Sequence, residues 1–254
     1  MGTMRLADMF GRYFRIVQAD TPELMRVSYR LRYEVYCVEH PFLEPSHYLD
    51  DLETDEYDGH SLHALLQHVP SGAFMGTVRL IMPKGNTAQL MMPFSDLCRD
   101  PLFHAGKVLP VASTAEVSRF AISKAFRRRN TDGTYPDQFA PDNPVIDDRR
   151  VLPNLSLGLI IAITQMGLAA GVTHICAVME PALFRLLQRL GIEFAPLGPA
   201  VDYHGIRQPC YAEGAVLLDQ LRIARPEYWD LITNGGQFLS LRSARPTAVL
   251  AAAV

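Results

Sequence analysis

Arginines placed inside apolar elements constrain this chain more than any other feature. Arg79 falls within the strand-like run Phe74 to Met82, and Arg119 within the run Ala115 to Ser123, where Glu116 accompanies it. Arg32 lies on a helical stripe with Met25, Tyr29 and Tyr36, beside a second stripe of Leu24, Val27, Leu31, Val35 and Val38. A charge in a buried element is costly unless it is paired. A structural ion pair would satisfy that need, and so would the wall of a functional site. Two strand arginines, one helix arginine and several carboxylates together suggest a polar network across a shared cleft.

The carboxylates are concentrated. Six fall in the nine residues from Asp50 to Asp58. One reading is a solvated surface loop, and another is a cluster that attracts a cationic amine. Composition does not choose between them. A calcium loop is excluded: counted from Asp51, position 6 is Glu56 where the turn needs Gly, and position 12 is Leu62 where a bidentate Glu belongs.

Strand and helix signals alternate along the chain, with a hairpin among them, which predicts a mixed α/β sheet. Phe14 to Val17 reads as a strand. Asp20 or Thr21 offers an N-cap before Pro22, and Pro41 ends the helix that follows. The runs Leu62–Val69 and Phe74–Met82 flank Pro70-Ser71-Gly72 as a hairpin. Residues 83–110 read as irregular. Asn154 is the expected cap of a helix ending at Gly171. Thr173–Met179 is the next strand, followed by a helix from Pro181 to Gly191. Ile192-Glu193-Phe194 should begin a strand, with Tyr211–Leu218 as its partner. Residues 1–225 are read as one domain with a loop insertion at about 124–153, and 226–254 as a loosely attached extension.

Composition narrows the function classes. Hydrophobic residues make up 48% of the 254 and the formal net charge is −3, which argues against disorder and against wholesale nucleic-acid binding. The cysteines, Cys37, Cys98, Cys176 and Cys210, lie 61, 78 and 34 residues apart, so no Cys-x-x-Cys pair exists to hold a metal. No metal site is expected among the eight histidines, which show no HExxH spacing. GxSxG, GxGxxG and Walker patterns are absent. With no long apolar run at the start and none elsewhere of spanning length, a cytoplasmic chain without a transmembrane segment is the expectation.

The ordered set Leu31-Arg32-Tyr33-Glu34-Val35-Tyr36, Asp55-Glu56-Tyr57-Asp58, Gly76-Thr77-Val78-Arg79-Leu80 and Glu116-Val117-Ser118-Arg119-Phe120-Ala121-Ile122 resembles acyl-homoserine-lactone autoinducer synthases. The segment Leu186-Leu187-Gln188-Arg189-Leu190-Gly191-Ile192-Glu193-Phe194 is similar to the closing helix and strand of the wider GNAT acyltransferase superfamily. Within it the chain most resembles the PEP-CTERM/exosortase system-associated acyltransferases, which are similar to N-acyl amino acid synthases. The resemblance covers about residues 14–218. It departs from autoinducer synthases at Tyr36, where they usually have Phe, and near Phe42, where they have Trp. Those departures point away from homoserine-lactone production from S-adenosylmethionine.

The resemblance implies a GNAT-like fold, a splayed mixed β-sheet flanked by helices on both faces, with a thioester lying where two strands part. It implies transfer of a fatty acyl group from acyl carrier protein to the amine of an amino acid or related small molecule. No tightly bound cofactor is expected; the donor would be the acyl-phosphopantetheine of the carrier protein in preference to acyl-CoA. The segment Arg127-Arg128-Arg129-Asn130-Thr131-Asp132-Gly133 lacks the glycine spacing of a pyrophosphate cradle. Lys124, Arg127, Arg128 and Arg129 are instead expected to dock the acidic carrier protein.

By the same analogy Arg32, Asp55, Asp58, Arg79, Glu116 and Arg119 belong to the amine site. Glu116 is the first choice for the base, with a backbone N–H just after Arg119 meeting the oxyanion. Asp55 or Asp58 would hold the ammonium group, and Arg79 or Arg119 a substrate carboxylate. Tyr36 and Ser118 are expected beside them. Strict alternation puts Glu116 and Ser118 on one face of their strand and Arg119 on the other, so a bulge is needed to gather all three. Met91, Met92, Phe94, Leu97 and the helix from Leu155 to Gly171 are candidates for an acyl tunnel, against an ordinary core. Other readings kept open are an acyl-homoserine-lactone synthase, an acetyl-CoA-dependent N-acetyltransferase, and a non-catalytic module that binds an acyl carrier or a lipid.

Overall fold

A computed structural model describes residues 6–84, 90–126 and 148–243. Eight strands form a mixed, mostly antiparallel sheet in the order β1-β2-β3-β4-β5-β8-β6, with β7 paired to β8. The chain divides into two compact units, residues 1–79 with 119–163, and residues 80–118 with 164–254. Strands β3 and β4 pass from one unit into the other.

The first unit opens with α1 (Leu6–Tyr13) and β1 (Phe14–Gln18). Helix α2 (Pro22–Tyr33) starts as expected: Thr21 Oγ1 accepts from the Leu24 N–H, and Pro22 needs no N–H in the first turn. The helix then widens into a π-helical turn over Glu34–Glu39. That turn alters the apolar stripe. Leu31 and Val35 are buried, but Val38 is 64% exposed, because the wider turn breaks the 3.6-residue period that would have placed it inward. Strands β2 (Ser61–His68) and β3 (Phe74–Ile81) form the expected hairpin, closed by Gly72 at φ +71°. Gly76 on β3 has a structural reason: a Cβ there would stand 2.9 Å from the Ala121 carbonyl oxygen on β4 (Thr114–Ile122).

Helix α5 (Asp148–Ala169) begins six residues before Asn154 and runs through it, so Asn154 is not a cap. The helix is fixed by the run Leu155–Ala162, which is buried all round, and this outweighs the local Pro-Asn start signal. Its end is as expected. Gly171 takes φ +73°, its N–H reaches the Leu168 carbonyl, and the Val172 N–H reaches Gly167, a Schellman motif.

In the second unit the stretch expected to be irregular holds two short helices, α3 (Pro93–Leu97) and α4 (Pro101–His104), each opened by a proline. The ladder between β4 and the parallel strand β5 (His174–Met179) covers only Thr114–Glu116 against His174–Cys176. Beyond Cys176, β5 continues along β8 (Ile206–Glu213) as far as Met179.

Helix α6 (Pro181–Arg189) closes on Gly191 at φ +79°. Two expectations fail after it. Residues 192–194 are not strand; β6 is only Ala195–Pro196, although it does pair with Tyr211 and Cys210. The run Tyr211–Leu218 is strand only to Glu213, and helix α7 (Gly214–Ala224) takes over. A short apolar run fits either period, and Leu217, Leu218 and Leu221 bury one helical face. The short strand β7 (Val201–Asp202) pairs with β8. Nor is the chain loose immediately after residue 225: α8 (Pro226–Thr233) buries Leu231, Ile232 and Thr233. No helix among the described residues is long and apolar enough to cross a membrane.

Candidate active site

The first unit gathers three guanidiniums and three carboxylates into one network. Arg32, in the last turn of α2, donates from Nε to Glu53 Oε2 and from Nη1 to Asp58 Oδ1 at 2.7 Å. Its Nη2 reaches Asp58 Oδ2 at 3.2 Å. Arg79, on β3, donates from Nη1 to Asp58 Oδ1 at 2.7 Å and also to Asp55 Oδ1. Arg119, on β4, donates from Nε to Glu53 Oε2 at 3.0 Å and from Nη2 to Glu53 Oε1 at 2.7 Å and Asp55 Oδ2 at 3.0 Å. The charges balance, three against three, which meets the requirement that buried ions be paired.

Local structure sets each side chain. The acidic loop is ordered by its own carboxylates: Asp58 Oδ2 accepts from the Asp55 N–H at 2.8 Å, and Asp55 Oδ1 from the Tyr57 N–H at 2.9 Å. The Glu53 N–H donates to the Tyr29 carbonyl on α2, which ties the loop to the helix that carries Arg32. Arg119 has φ +51°, a left-handed conformation that L-residues rarely adopt inside a strand. This local break is where the alternation argument needed a bulge, and Arg119 joins the network from it.

The network has a closed side and an open side. Arg32, Arg79 and Glu53 are fully buried, whereas the side chains of Asp55 and Arg119 are 23% and 20% exposed. The Arg119 guanidinium lies over the Tyr36 ring, 5.7 Å from its centre, and Arg32 over the Tyr29 ring at 5.2 Å.

Burial opposes ionisation of Glu53, but hydrogen bonds and charge from Arg119, with Arg32, hold its carboxyl down at about 2. Burial is likewise outweighed by Arg79 at Asp55 and by Arg32 at Asp58, and both carboxyls sit below their ordinary value. Burial pushes the Tyr36 phenol up, eased by Arg119. His63, on β2, is lowered to about 4 by burial and the Arg32 charge; its Nε2 is 3.7 Å from Asp58 Oδ1. The site therefore offers carboxylates fixed as anions, guanidiniums fixed as cations, and a neutral imidazole.

Of the residues expected in the site, Arg32, Asp55, Asp58, Arg79 and Arg119 are brought together, with Tyr36 against Arg119. Glu116 is buried in the second unit, where its Oε2 accepts from the Phe94 N–H at 2.8 Å. Ser118 is half-buried on the same strand. The Lys124 N–H donates to the Glu39 carboxylate at 2.8 and 2.9 Å, and its ammonium to the Glu39 carbonyl. Arg127, Arg128 and Arg129 lie outside the described residues. Met92 and Phe94, two tunnel candidates, are fully buried in the second unit, where the Cys176 thiol lies 3.8 Å from Met92 Sδ; Met91 is exposed. Among the described residues no group of acidic, histidine and cysteine side chains is arranged to hold a metal.

Sequence reasoning missed Glu53, the carboxylate that joins Arg32 to Arg119. The sequence reading filled the third acid's place with Glu116, whereas in the structure Glu53 takes it, from the same acidic loop as Asp55 and Asp58.

The sequence of residues 31–134 matches the acetyltransferase (GNAT) domain. Residues 31–134 carry a GNAT-type acyltransferase domain. A comparison with curated proteins finds no match. Among solved structures the fold is similar to that of TofI, crystallised in a ternary complex with an inhibitor and MTA, at TM-score 0.56 and 19% identity over 85% of this chain and 99% of that one. It is similar to the CoA-dependent acyl-homoserine lactone synthase BjaI at TM-score 0.54 and 18% identity, over 87% and 88% of the two chains. It is also similar to FeeM, an N-acyl amino acid synthase from uncultured soil microbes, at TM-score 0.51 and 14% identity, over 84% and 97%. These likenesses establish the GNAT-like fold.

Proposed function

We propose that this acyltransferase moves a fatty acyl group from a thioester, carried on acyl carrier protein, to the amine of an amino acid or related small molecule. One observation carries the reading: the most exposed members of the charge network are a carboxylate, Asp55, and a guanidinium, Arg119, with Asp58 nearly buried beside them. Such a pair complements an acceptor that presents an ammonium and a carboxylate together. The likeness to FeeM supports the same acceptor class. The absence of a glycine-spaced cradle in the sequence after β4, and the basic run at that point of the sequence, support a carrier-protein donor.

The chemistry is aminolysis. The ammonium first gives one proton to a base, and the neutral nitrogen attacks the thioester carbonyl carbon. A C–N bond forms and the carbonyl becomes an oxyanion. Collapse breaks the C–S bond, a second proton leaves nitrogen, and the sulfur departs as a thiol. Asp55 and Asp58, held ionised by Arg79 and Arg32, suit the holding of the ammonium. Because the same arginines make these carboxylates weak bases, we assign proton acceptance to Glu116 and oxyanion stabilisation to a backbone N–H beyond Arg119. The activity is tested by expressing the protein in a bacterial host and analysing extracted lipids by mass spectrometry. New N-acyl amino acid species support the reading. Their absence across the host's amine pool, with soluble protein present, opposes it.

A further inference from the structure

Four residues before Arg32 on α2, and two before Arg79 on β3, lie two hydroxyls that touch. Ser28 Oγ and Thr77 Oγ1 are 2.7 Å apart, and both residues are buried. Thr77 Oγ1 also donates to the Ala64 carbonyl of β2 at 3.0 Å. A hydroxyl has one proton, so Thr77 acts as donor to Ala64 and acceptor from Ser28. The result is a directed chain, Ser28 to Thr77 to Ala64, running from α2 through β3 to β2. We propose that Ser28 and Thr77 are positioning residues: their hydrogen bond sets the register of α2 on β3 so that Arg32 and Arg79 reach the same oxygen, Asp58 Oδ1.

The spacing supports this. Residues four apart on a helix share a face, as do residues two apart on a strand. Ser28 and Arg32 therefore present one side of α2, while Thr77 and Arg79 present one side of β3. The hydroxyl contact joins those faces one step upstream of the point where the guanidiniums converge on Asp58 at 2.7 Å each. A slip of either element would separate the two donors. Both hydroxyls are buried where a hydrocarbon would fill the same space, and nothing in an ordinary helix–sheet contact requires them. Ala64 follows His63, so the chain ends beside the imidazole that faces Asp58.

The consequence for acceptor binding rests on the functional reading above; the consequence for network geometry does not. The test compares Thr77→Val, Thr77→Ser and Ser28→Ala with the wild type in two measurements, acceptor KM against kcat and the NMR titration of His63. Thr77→Val, which keeps the shape and removes the hydroxyl, should raise acceptor KM roughly tenfold while kcat stays within about twofold. It should also move the His63 midpoint upward as the guanidiniums shift. Thr77→Ser should restore both. Ser28→Ala should act in the same direction with a smaller effect, since Thr77 keeps Ala64, and it serves if Thr77→Val does not fold. Wild-type values of KM and of the His63 midpoint in folded Thr77→Val or Ser28→Ala overturn the proposal, as does a Thr77→Ser protein as altered as Thr77→Val. If the wild type transfers no acyl group, the functional reading falls, and the His63 titration alone decides this one.

Discussion

Glu53 and Glu116 are both buried glutamates, one in each unit, and their surroundings differ in kind. Glu53 accepts from Arg119 on both oxygens and from Arg32 on Oε2, and its carboxyl is held at about 2. Glu116 accepts a neutral backbone N–H from Phe94. A carboxylate between two guanidiniums is a fixed charge: it orders its neighbours and is poorly suited to take up a proton. Glu116 has a neutral backbone donor among its partners. In the proposed reaction, holding charge and moving a proton accordingly fall to different carboxylates.

The largest expected effect separates them by stability. Glu53→Ala leaves Arg32 with Asp58 alone and removes two of the three carboxylate contacts of Arg119, all in a buried site, and should cost about 3–5 kcal/mol in denaturant unfolding. Glu116→Gln retains an oxygen for the Phe94 N–H and should cost less than about 1.5 kcal/mol. Equal losses would break the comparison. Activity should separate them again: as the base, Glu116→Gln should slow turnover roughly 10²–10⁴-fold in a folded protein.

Acid sharpens the contrast further. His63 is lowered from 6.5 to about 4, so the folded state favours its neutral form. Its contribution is complete above pH 6.5 and is lost as pH falls toward 4, a change of about 3 kcal/mol. Glu53, lowered from 4.5 to about 2, keeps its contribution above pH 4.5 and loses it only as pH falls toward 2. His63→Leu should flatten the stability profile between pH 6.5 and 4 and leave the steeper acid loss in place. The smallest effect belongs to Val38, which the π-helical turn leaves exposed: Val38→Asp should change stability by no more than about 0.5 kcal/mol.

The network was legible in the sequence to the extent that single residues broke a local rule. Arg32, Arg79 and Arg119 each stand where burial forbids an unpaired charge, so pattern alone found them; Asp55 and Asp58 came from the resemblance, because the acidic loop by itself fits a solvated surface equally well. Glu53 escaped because its loop neighbours look alike in sequence; only the fold shows which acids turn inward. The π-helical turn that exposes Val38 also has no local signature, since its residues suit an α-helix. The helix at Gly214–Ala224 was misread for a related reason: a short apolar run fits both periods until packing selects one. A bulge was expected near Arg119 in order to gather Glu116, Ser118 and Arg119; the strand does break there, at Arg119 φ +51°, but Arg119 turns to Glu53 and Asp55 while Glu116 meets Phe94.

The central claim is that the exposed edge of the network, Asp55 beside Arg119, receives the amine. The most direct measurement is acceptor-saturation kinetics of purified wild-type and Asp55→Asn protein with an acyl carrier protein thioester, alongside melting curves. Because Asp55 is part-exposed, the variant should remain folded. The account predicts an acceptor KM raised at least roughly tenfold, the loss expected of a charge-assisted contact. Unchanged acceptor KM and kcat in a folded Asp55→Asn protein would contradict it.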